Sequence, residues 1–195
     1  MFKHLLALCV AALLAGCIPL TLADSLAAVP RSQLIGTPII PLAANSPLKQ
    51  SVQVNNVSRG RGTNPAPTYV VSDFQQALPQ SLSAQGILAG AGAQYRLDAA
   101  VLEVKQPTFG LSLTVTSTVR YKVTEVATDR VTFDQTITVD YTAAFFDAIT
   151  AAHRGRLAYA GSIRDNISKF LDQLIGMLGG SGTGPIGALE LGRVG

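Results

Sequence analysis

Two long segments near the middle of the chain alternate apolar and polar side chains with a period of two. They run from Leu111 to Thr124 and from Val131 to Tyr141. Because successive side chains of a strand point to opposite faces, each segment is predicted to be a strand with one buried and one wet face. The short turn Ala127–Arg130 between them predicts an antiparallel hairpin. The apolar positions are Leu111, Leu113, Val115, Val119, Tyr121 and Val123, then Val131, Phe133, Ile137, Val139 and Tyr141.

Upstream of the hairpin, the pattern predicts a strand and a helix. Ser51–Val57 alternates valines with polar residues, which indicates a strand. Ser72 has Gln75 three residues later, a capping box that predicts the start of a helix. Gly86 is the predicted stop of that helix. Pro79 falls inside it, so we expect a kink there, because proline removes a backbone hydrogen bond.

A third strand and a second helix complete the pattern. Tyr95–Val104 is a predicted strand whose apolar phase slips between Ala99 and Leu102, which indicates a bulge. Ala148–Leu178 changes to a spacing of three and four, typical of one helical face, and Gly179 ends it. The order β-α-β-β-β-α predicts an α+β domain over residues 49–178. We expect a four-stranded, mostly antiparallel sheet with two helices packed on one face.

The N-terminus has the features of a bacterial lipoprotein signal peptide. Lys3 precedes an apolar run from Leu5 to Leu14, about ten residues and therefore too short to span a bilayer. The run ends in Leu-Ala-Gly-Cys, which matches the lipobox, a branched residue and two small residues before Cys17. We predict that residues 1–16 are removed and that Cys17 is lipidated. An ordinary secretory signal that happens to contain a cysteine is the alternative.

Two segments flank the predicted domain. Residues 17–48 carry five prolines, which rule out long regular elements, and we predict a tether between the lipid and the domain. The alternative is that Leu34 to Leu42 packs on the domain. Residues 179–195 are rich in glycine and are predicted to be a flexible tail.

The sequence shows no cluster of residues with catalytic chemistry. Cys17 is the only cysteine after the leader, so a single copy of the domain can hold no disulfide and no cysteine nucleophile. His153 is the only histidine after the leader, and we expect it to be exposed at the start of the last helix. Gly90-Ala91-Gly92 follows a helix and precedes a strand, the opposite order to a phosphate-binding loop. We therefore expect no enzyme activity, no metal and no cofactor.

The charges of the chain point away from nucleic acid. The formal net charge is only +3, and the basic residues are spread along the sequence instead of forming one basic face. Basic residues are densest at Arg59 and Arg61. We interpret this segment as a soluble loop, and contact with phosphate or a lipid head group is the alternative. The acids on the predicted strands are interpreted as solvated charges. They are Asp98, Glu103, Asp134 and Asp140.

The wet face of the hairpin is the candidate interaction surface. It is rich in threonine and carries two neighbouring cations, which could meet a protein partner or a glycolipid. The alternative is that threonine is present only because it suits an exposed strand. The candidate residues are Thr116, Thr118, Arg120, Lys122, Thr136 and Thr138.

The combination of lipobox, proline-rich segment and β-α-β-β-β-α order resembles small Gram-negative envelope lipoproteins. The nearest are the YajG-like lipoproteins. More distant are the lipopolysaccharide-assembly lipoprotein LptE and lipoprotein auxiliary components of lipid-trafficking ABC transporters. The resemblance implies no catalytic residues. It runs from Asp73 to Leu174 and is carried by Phe74, Ala77, Leu78 and Leu82, by Gln94 to Leu97, by Val119 to Val123 and by the region of Phe145.

The resemblance also implies a location and a role. Ile18, not Asp, follows the cysteine, which by likeness to enterobacterial lipoproteins implies the outer membrane, facing the periplasm. We expect a non-enzymatic assembly or accessory factor, held to the membrane by acyl chains on Cys17. The alternative is a lipid- or glycolipid-binding component of an envelope transport system, and an envelope hydrolase or transferase is a third class. A deep apolar pocket between helices and sheet would favour the lipid-binding alternative, and a solid core with a broad flat sheet would favour the accessory factor.

Overall fold

A computed structural model describes residues 29–61, 66–106 and 110–180 of the chain. It confirms the predicted α+β class and the element order β-α-β-β-β-α. The predicted signal peptide, Cys17 and the tail beyond residue 180 lie outside the described residues. The elements are β1 (Val52–Arg59), α1 (Thr68–Ala84), β2 (Tyr95–Lys105), β3 (Leu113–Glu125), β4 (Val131–Ala143) and α2 (Ala151–Leu178), with short 3-10 helices at Arg31–Leu34 and Phe145–Asp147.

The four strands form one sheet in the order β1-β2-β3-β4. β1 and β2 are parallel, as a strand–helix–strand unit requires, and the other two pairs are antiparallel. The register of β2 against β3 shifts between Val101 and Glu103, at the C-terminal edge of the predicted phase slip. α2 packs against β3 and β4, while α1 packs against β1. Both helices therefore cover the same face of the sheet, and the other face is left open.

The burial of β3 follows the period-two pattern. Val119 and Tyr121 are fully buried, whereas Arg120 between them is exposed and Thr118 is half-buried. The Tyr121 ring stacks on Phe170 of α2 with centroids 4.1 Å apart, and Phe133 meets the same ring edge-on at 5.6 Å. Aromatic rings thus fill the space between α2 and the hairpin. The prediction that Leu111 lies on the buried face of this strand is wrong, because β3 begins only at Leu113 and the Leu111 side chain is 73% exposed.

The start of α1 also differs from the prediction. The helix begins at Thr68 after Pro67, one turn before Ser72, and no side chain caps it. Val70 and Val71 are buried, so this first turn belongs to the apolar face of the helix. Gln75 does not close a capping box, since its side-chain amide donates to the Val57 carbonyl oxygen at 3.0 Å.

The end of α1 agrees with the sequence. Pro79 lies inside the helix, which continues to Ala84. Gly86 follows the helix with φ of +68°, the left-handed conformation that glycine adopts at a helix stop.

The predicted tether is wrong for residues 29–48, which pack on the two helices. Leu34 is 2% exposed and Leu48 is fully buried, so the alternative of a packed segment is correct for Leu34. The Gly36 amide donates to Ser81 Oγ of α1 at 2.9 Å, and the Thr37 amide donates to Ser168 Oγ of α2 at 2.9 Å. The prolines exclude long regular elements, but side-chain oxygens on the helices accept hydrogen bonds from the irregular backbone.

Two glycines allow close approaches on α2. A Cβ at Gly36 would lie 2.7 Å from the Ile167 side chain, so the N-terminal segment crosses α2 where glycine leaves room. A Cβ at Gly161 would overlap the ring of Tyr141 on β4, so this ring lies directly on the helix backbone. In the described part of the chain, no helix is both long and apolar enough to cross a membrane.

Candidate functional site

We call the side of the sheet away from the helices the open face. It carries all six candidate residues: Thr116, Thr118, Arg120, Lys122, Thr136 and Thr138. The register of the hairpin brings them together, because Thr118 lies opposite Thr138 and Arg120 lies opposite Thr136. Thr116 and Thr118 are half-buried and the other four are exposed. The six form two neighbouring rows of polar side chains that a flat partner surface could contact.

An ion pair fixes the position of the arginine on the open face. Arg120 Nε and a terminal guanidinium nitrogen donate to the two carboxylate oxygens of Asp134, each at 2.7 Å. Asp134 lies opposite Lys122, so the pair is a diagonal one across the two strands. The hydrogen bonds from Arg120 lower the pKa of Asp134, and the charges of Arg120 and Lys122 act in the same direction. Asp134 is therefore exposed, as predicted, and it is also part of this surface through its ion pair with Arg120.

Threonine hydroxyls pair across the hairpin. Thr118 Oγ1 lies 3.1 Å from Thr138 Oγ1, and Thr114 Oγ1 lies 2.8 Å from Thr142 Oγ1. A hydroxyl can donate once and accept twice, so each pair retains hydrogen-bonding capacity towards solvent or a partner. The pairs therefore order the side chains and leave part of their hydrogen-bonding capacity free.

A depression of about 360 Å³ continues the open face towards β1 and β2. Asp98 in this depression accepts a hydrogen bond from Asn55 Nδ2 at 2.7 Å and lies opposite Lys122 in the β2–β3 register. Its charged groups are therefore of both signs and its carboxylates are already engaged. The lining residues are Ser58, Asp98, Ala99, Ala100, Arg120, Lys122, Val131 and Asp134.

The other sequence candidates lie away from this surface. His153 is exposed in the first turn of α2, as predicted, and its backbone amide donates to Thr150 Oγ1 at 3.3 Å. Arg59 donates a hydrogen bond to Thr68 Oγ1 at 2.7 Å and so links the end of β1 to the start of α1. In residues 29–61, 66–106 and 110–180, no three His, Cys, Asp or Glu side chains converge as a metal site would require.

A buried polar cluster in the core was not predicted from the sequence. Asn166 of α2 is fully buried and accepts a hydrogen bond from the Tyr121 hydroxyl at 2.9 Å. Its Nδ2 donates to the carbonyl oxygens of Ser117 and Ile137, each at 3.1 Å. Burial raises the pKa of Tyr121 well above its usual value, so this hydroxyl remains a hydrogen-bond donor. The cluster fixes how α2 sits on the hairpin, but it is sealed from solvent and offers no site for a ligand.

One further titratable pair joins the two helices. The Tyr159 hydroxyl donates to Asp73 Oδ2 at 2.6 Å. Burial raises the pKa of Asp73, although the hydrogen bond from Tyr159 opposes that effect. Burial, followed by the hydrogen bond and charge of Asp73, raises the pKa of Tyr159. The hydrogen bond joins α1 to α2, and we interpret the pair as a structural link.

Comparison with known proteins yields remote structural likenesses only. No protein-family model and no curated protein matches the chain. A Xanthomonas campestris protein of family DUF330 is 13% identical over 75% of this chain and 94% of its own, with a TM-score of 0.47. A minor lipoprotein from Acinetobacter baumannii is 14% identical over 66% and 93%, with a TM-score of 0.42. Lipoprotein GNA1162 from Neisseria meningitidis is 9% identical over 65% and 98%, with a TM-score of 0.40.

Two of these three structures are named lipoproteins from Gram-negative bacteria. At this level of identity and TM-score the likeness assigns neither a family nor a role to the chain. The functional argument therefore rests on the residues of the chain itself.

Proposed function

We propose that the mature protein is a lipid-anchored envelope protein that acts without catalysis, as an assembly or accessory factor. The open face is the surface that docks a partner protein. One observation carries this proposal: the hairpin register places six polar side chains in two rows and fixes Arg120 by a two-point ion pair with Asp134. Such a surface gives orientation and charge complementarity, which guide association.

The filled core argues against the lipid-binding alternative. The Tyr121, Phe133 and Phe170 rings occupy the space between α2 and the hairpin, where an acyl chain would have to enter. The depression on the open face is the remaining support for a glycolipid, because Arg120 and Lys122 could meet its phosphate groups. We therefore keep this alternative as an outcome of the test below.

The proposed location follows from the lipobox, which predicts the lipid anchor, and from Ile18 after the cysteine, which implies the outer membrane by likeness to enterobacterial lipoproteins. Acyl chains on Cys17 would hold the protein in the outer membrane, facing the periplasm, and more than one chain is needed for firm anchoring. Kinship with the YajG-like lipoproteins, or more distantly with LptE and transporter auxiliary lipoproteins, is part of the same proposal.

Replacing Cys17 by serine should abolish acylation, because the sulfur atom of the cysteine forms the thioether bond. We expect the Cys17→Ser chain to accumulate as an unprocessed precursor that takes up no radioactive or clickable fatty acid. Cys9→Ser is the matched control and should be labelled like the unaltered chain, since Cys9 lies inside the predicted leader. Normal acyl labelling of Cys17→Ser would disprove the anchor.

Charge reversal on the open face tests the docking proposal. We expect Arg120→Glu with Lys122→Glu to reduce crosslinking to the native partner about tenfold, because exposed interface charges govern encounter. Folding should change little, since exposed substitutions usually alter stability by about 0.5 kcal/mol or less. Crosslinking in intact cells followed by quantitative mass spectrometry measures the first effect, and urea unfolding measures the second.

Two controls make that test specific. Exchanging the two residues as Arg120→Asp with Asp134→Arg keeps an ion pair but reverses its polarity. Crosslinking to a partner that recognises the charge pattern should therefore still be reduced. Lys169→Glu reverses one charge on the exposed side of α2 and, unlike the single variant Lys122→Glu on the open face, should leave crosslinking intact. Full retention of the partner by the folded double-glutamate variant would contradict docking at this face. Loss of bound glycolipid with protein crosslinks unchanged would favour the alternative.

A further inference from the structure

Four large apolar side chains are exposed together at one end of the domain, and we call them the apolar tip. Leu111 is 73% exposed, Phe145 44%, Phe146 94% and Ile149 98%. Monomeric soluble proteins scatter such residues, and a cluster of them usually marks a contact with a protein or a membrane.

The topology explains why these residues share one end. Leu113 at the start of β3 pairs with Ala143 at the end of β4. Leu111 precedes that pair by two residues and Phe145 follows it by two, so both lie just beyond the same end of the β3–β4 hairpin. Only Thr150 separates Ile149 from the first residue of α2, and Gly155 of that helix lies beside Leu113.

Polar contacts hold the tip in a defined shape. The Asp147 carboxylate accepts from the Ala144 amide at 2.7 Å, which closes the short turn that carries Phe145 and Phe146. Arg154, only 5% exposed, donates to the carbonyl oxygens of Ala148 and Ile149 at 2.7 and 3.2 Å. The same guanidinium lies 5.1 Å from the centre of the Phe145 ring. The backbone is thus fixed from below while Phe146 and Ile149 point outward.

The described chain begins at the same end of the domain. Val29 and Pro30 line a depression of about 250 Å³ together with His153, Arg156 and Leu157 from the first turns of α2. Eleven residues separate Val29 from Cys17. A chain of that length spans at most about 40 Å when fully extended. Acyl chains on Cys17 would therefore keep the domain near the bilayer, with the tip on the side from which the anchor leaves.

We propose that the apolar tip docks into the phospholipid surface beside the anchor. Phe146 and Ile149 enter the boundary between head groups and acyl chains, where apolar side chains of peripheral proteins are buried by about 5–10 Å. Arg156 in the second turn of α2 lies at the level of the phosphates, which suits its positive charge. This inference rests on the proposed lipidation, because the anchor determines which end of the domain faces the membrane.

Single tryptophans can report this contact directly, because the chain contains no tryptophan. The full acylated chain carrying Phe146→Trp or Ile149→Trp is reconstituted in vesicles of phosphatidylethanolamine and phosphatidylglycerol with a brominated-chain phosphatidylcholine. Ile39→Trp is the matched control, since Ile39 is 90% exposed and its amide bonds Asp172. Asp172 lies about 30 Å along α2 from its start.

We expect brominated lipid to quench the fluorescence of the Phe146→Trp and Ile149→Trp chains about threefold or more above that of the Ile39→Trp chain, because only the tip enters the region of the acyl chains. Equal and weak quenching of all three variants would overturn the proposal. A second result would also overturn the proposal: no quenching in vesicles, together with a concentration-dependent shift of the Phe146→Trp emission without vesicles. That result would assign the tip to contact with a second copy of the chain.

The outcome separates the tip from the anchor. If the acylated Phe146→Trp chain floats with the vesicles but its fluorescence is not quenched, the tip proposal fails and the anchor stands. If Cys17 takes up no fatty acid and the Phe146→Trp fluorescence is quenched nonetheless, the anchor fails and the tip stands.

Discussion

Replacing Asn166 by alanine is expected to lower the free energy of unfolding by about 3 kcal/mol, because a buried donor or acceptor left without a partner costs about 1–3 kcal/mol. Asn166 connects the Tyr121 hydroxyl to the carbonyl oxygens of Ser117 and Ile137. Its removal leaves the fully buried Tyr121 hydroxyl without its acceptor. Urea unfolding, with the midpoint compared at an unchanged slope, measures the effect.

A double-mutant cycle tests whether the cluster acts as a unit. Tyr121→Phe should destabilise the unaltered protein more than it destabilises Asn166→Ala, because the hydroxyl has already lost its acceptor there. Thr136→Ala on the open face is the control and should change stability by about 0.5 kcal/mol or less. A cost for Asn166→Ala as small as that of the control would show that the cluster does not hold α2 in place.

Replacing Gly161 by alanine should destabilise the protein by a net of about 1–2 kcal/mol, because a contact this close puts the overpacking cost in the upper part of its usual range of about 1–3 kcal/mol. Helix propensity predicts the opposite sign, since alanine is about 1 kcal/mol better than glycine inside a helix. The steric term prevails because the new Cβ would overlap the Tyr141 ring. The midpoint of thermal or urea unfolding distinguishes the two signs.

Two variants show whether the ring is the cause. Gly176→Ala, in the same helix, meets no atom within 4 Å and should stabilise the protein by about 0.5–1 kcal/mol. In a Tyr141→Ala background, Gly161→Ala should become neutral or stabilising, because the ring is gone. If Gly161→Ala stays equally destabilising in that background, a contact other than Tyr141 is responsible.

The period of the sequence was sufficient to predict the sheet and which faces of the hairpin are buried. Period two depends only on side chains alternating across a strand, so Val119 and Tyr121 could be placed in the core without knowledge of their neighbours. The start of α1 and the packing of residues 29–48 were not predictable in this way. Each depends on long-range contacts, such as that of the Gly36 amide with Ser81.

The buried cluster left a weak signal in the sequence. Ser117 interrupts the apolar row between Val115 and Val119, and Asn166 interrupts the apolar face of α2 between Ile163 and Phe170. A polar residue in each of two packed stripes predicts that they meet, since buried polar groups are nearly always hydrogen-bonded. Both positions could have been paired on this ground.

The six candidate residues of the open face were predicted as one surface, and their proximity follows from the hairpin alone. The ion pair of Arg120 with Asp134 was missed because it depends on the register. A shift of the strands would give Arg120 a different diagonal neighbour, and the sequence of the turn does not fix that shift. The exposed tip was missed as well, because Phe145, Phe146 and Ile149 are residue types normally expected inside.

With the proposed acylation of Cys17, the packing of residues 29–48 on the helices would raise the effective concentration of the domain at the membrane. A free chain from residue 18 to 48 would extend to about 110 Å, whereas one that ends at Val29 extends to about 40 Å. Since the effective concentration of a flexibly tethered domain falls roughly as the −3/2 power of tether length, a tether of about 11 residues in place of about 31 would raise it about fivefold. The proposed partner in the same membrane would therefore meet the open face about fivefold more often, with no added contact between the two.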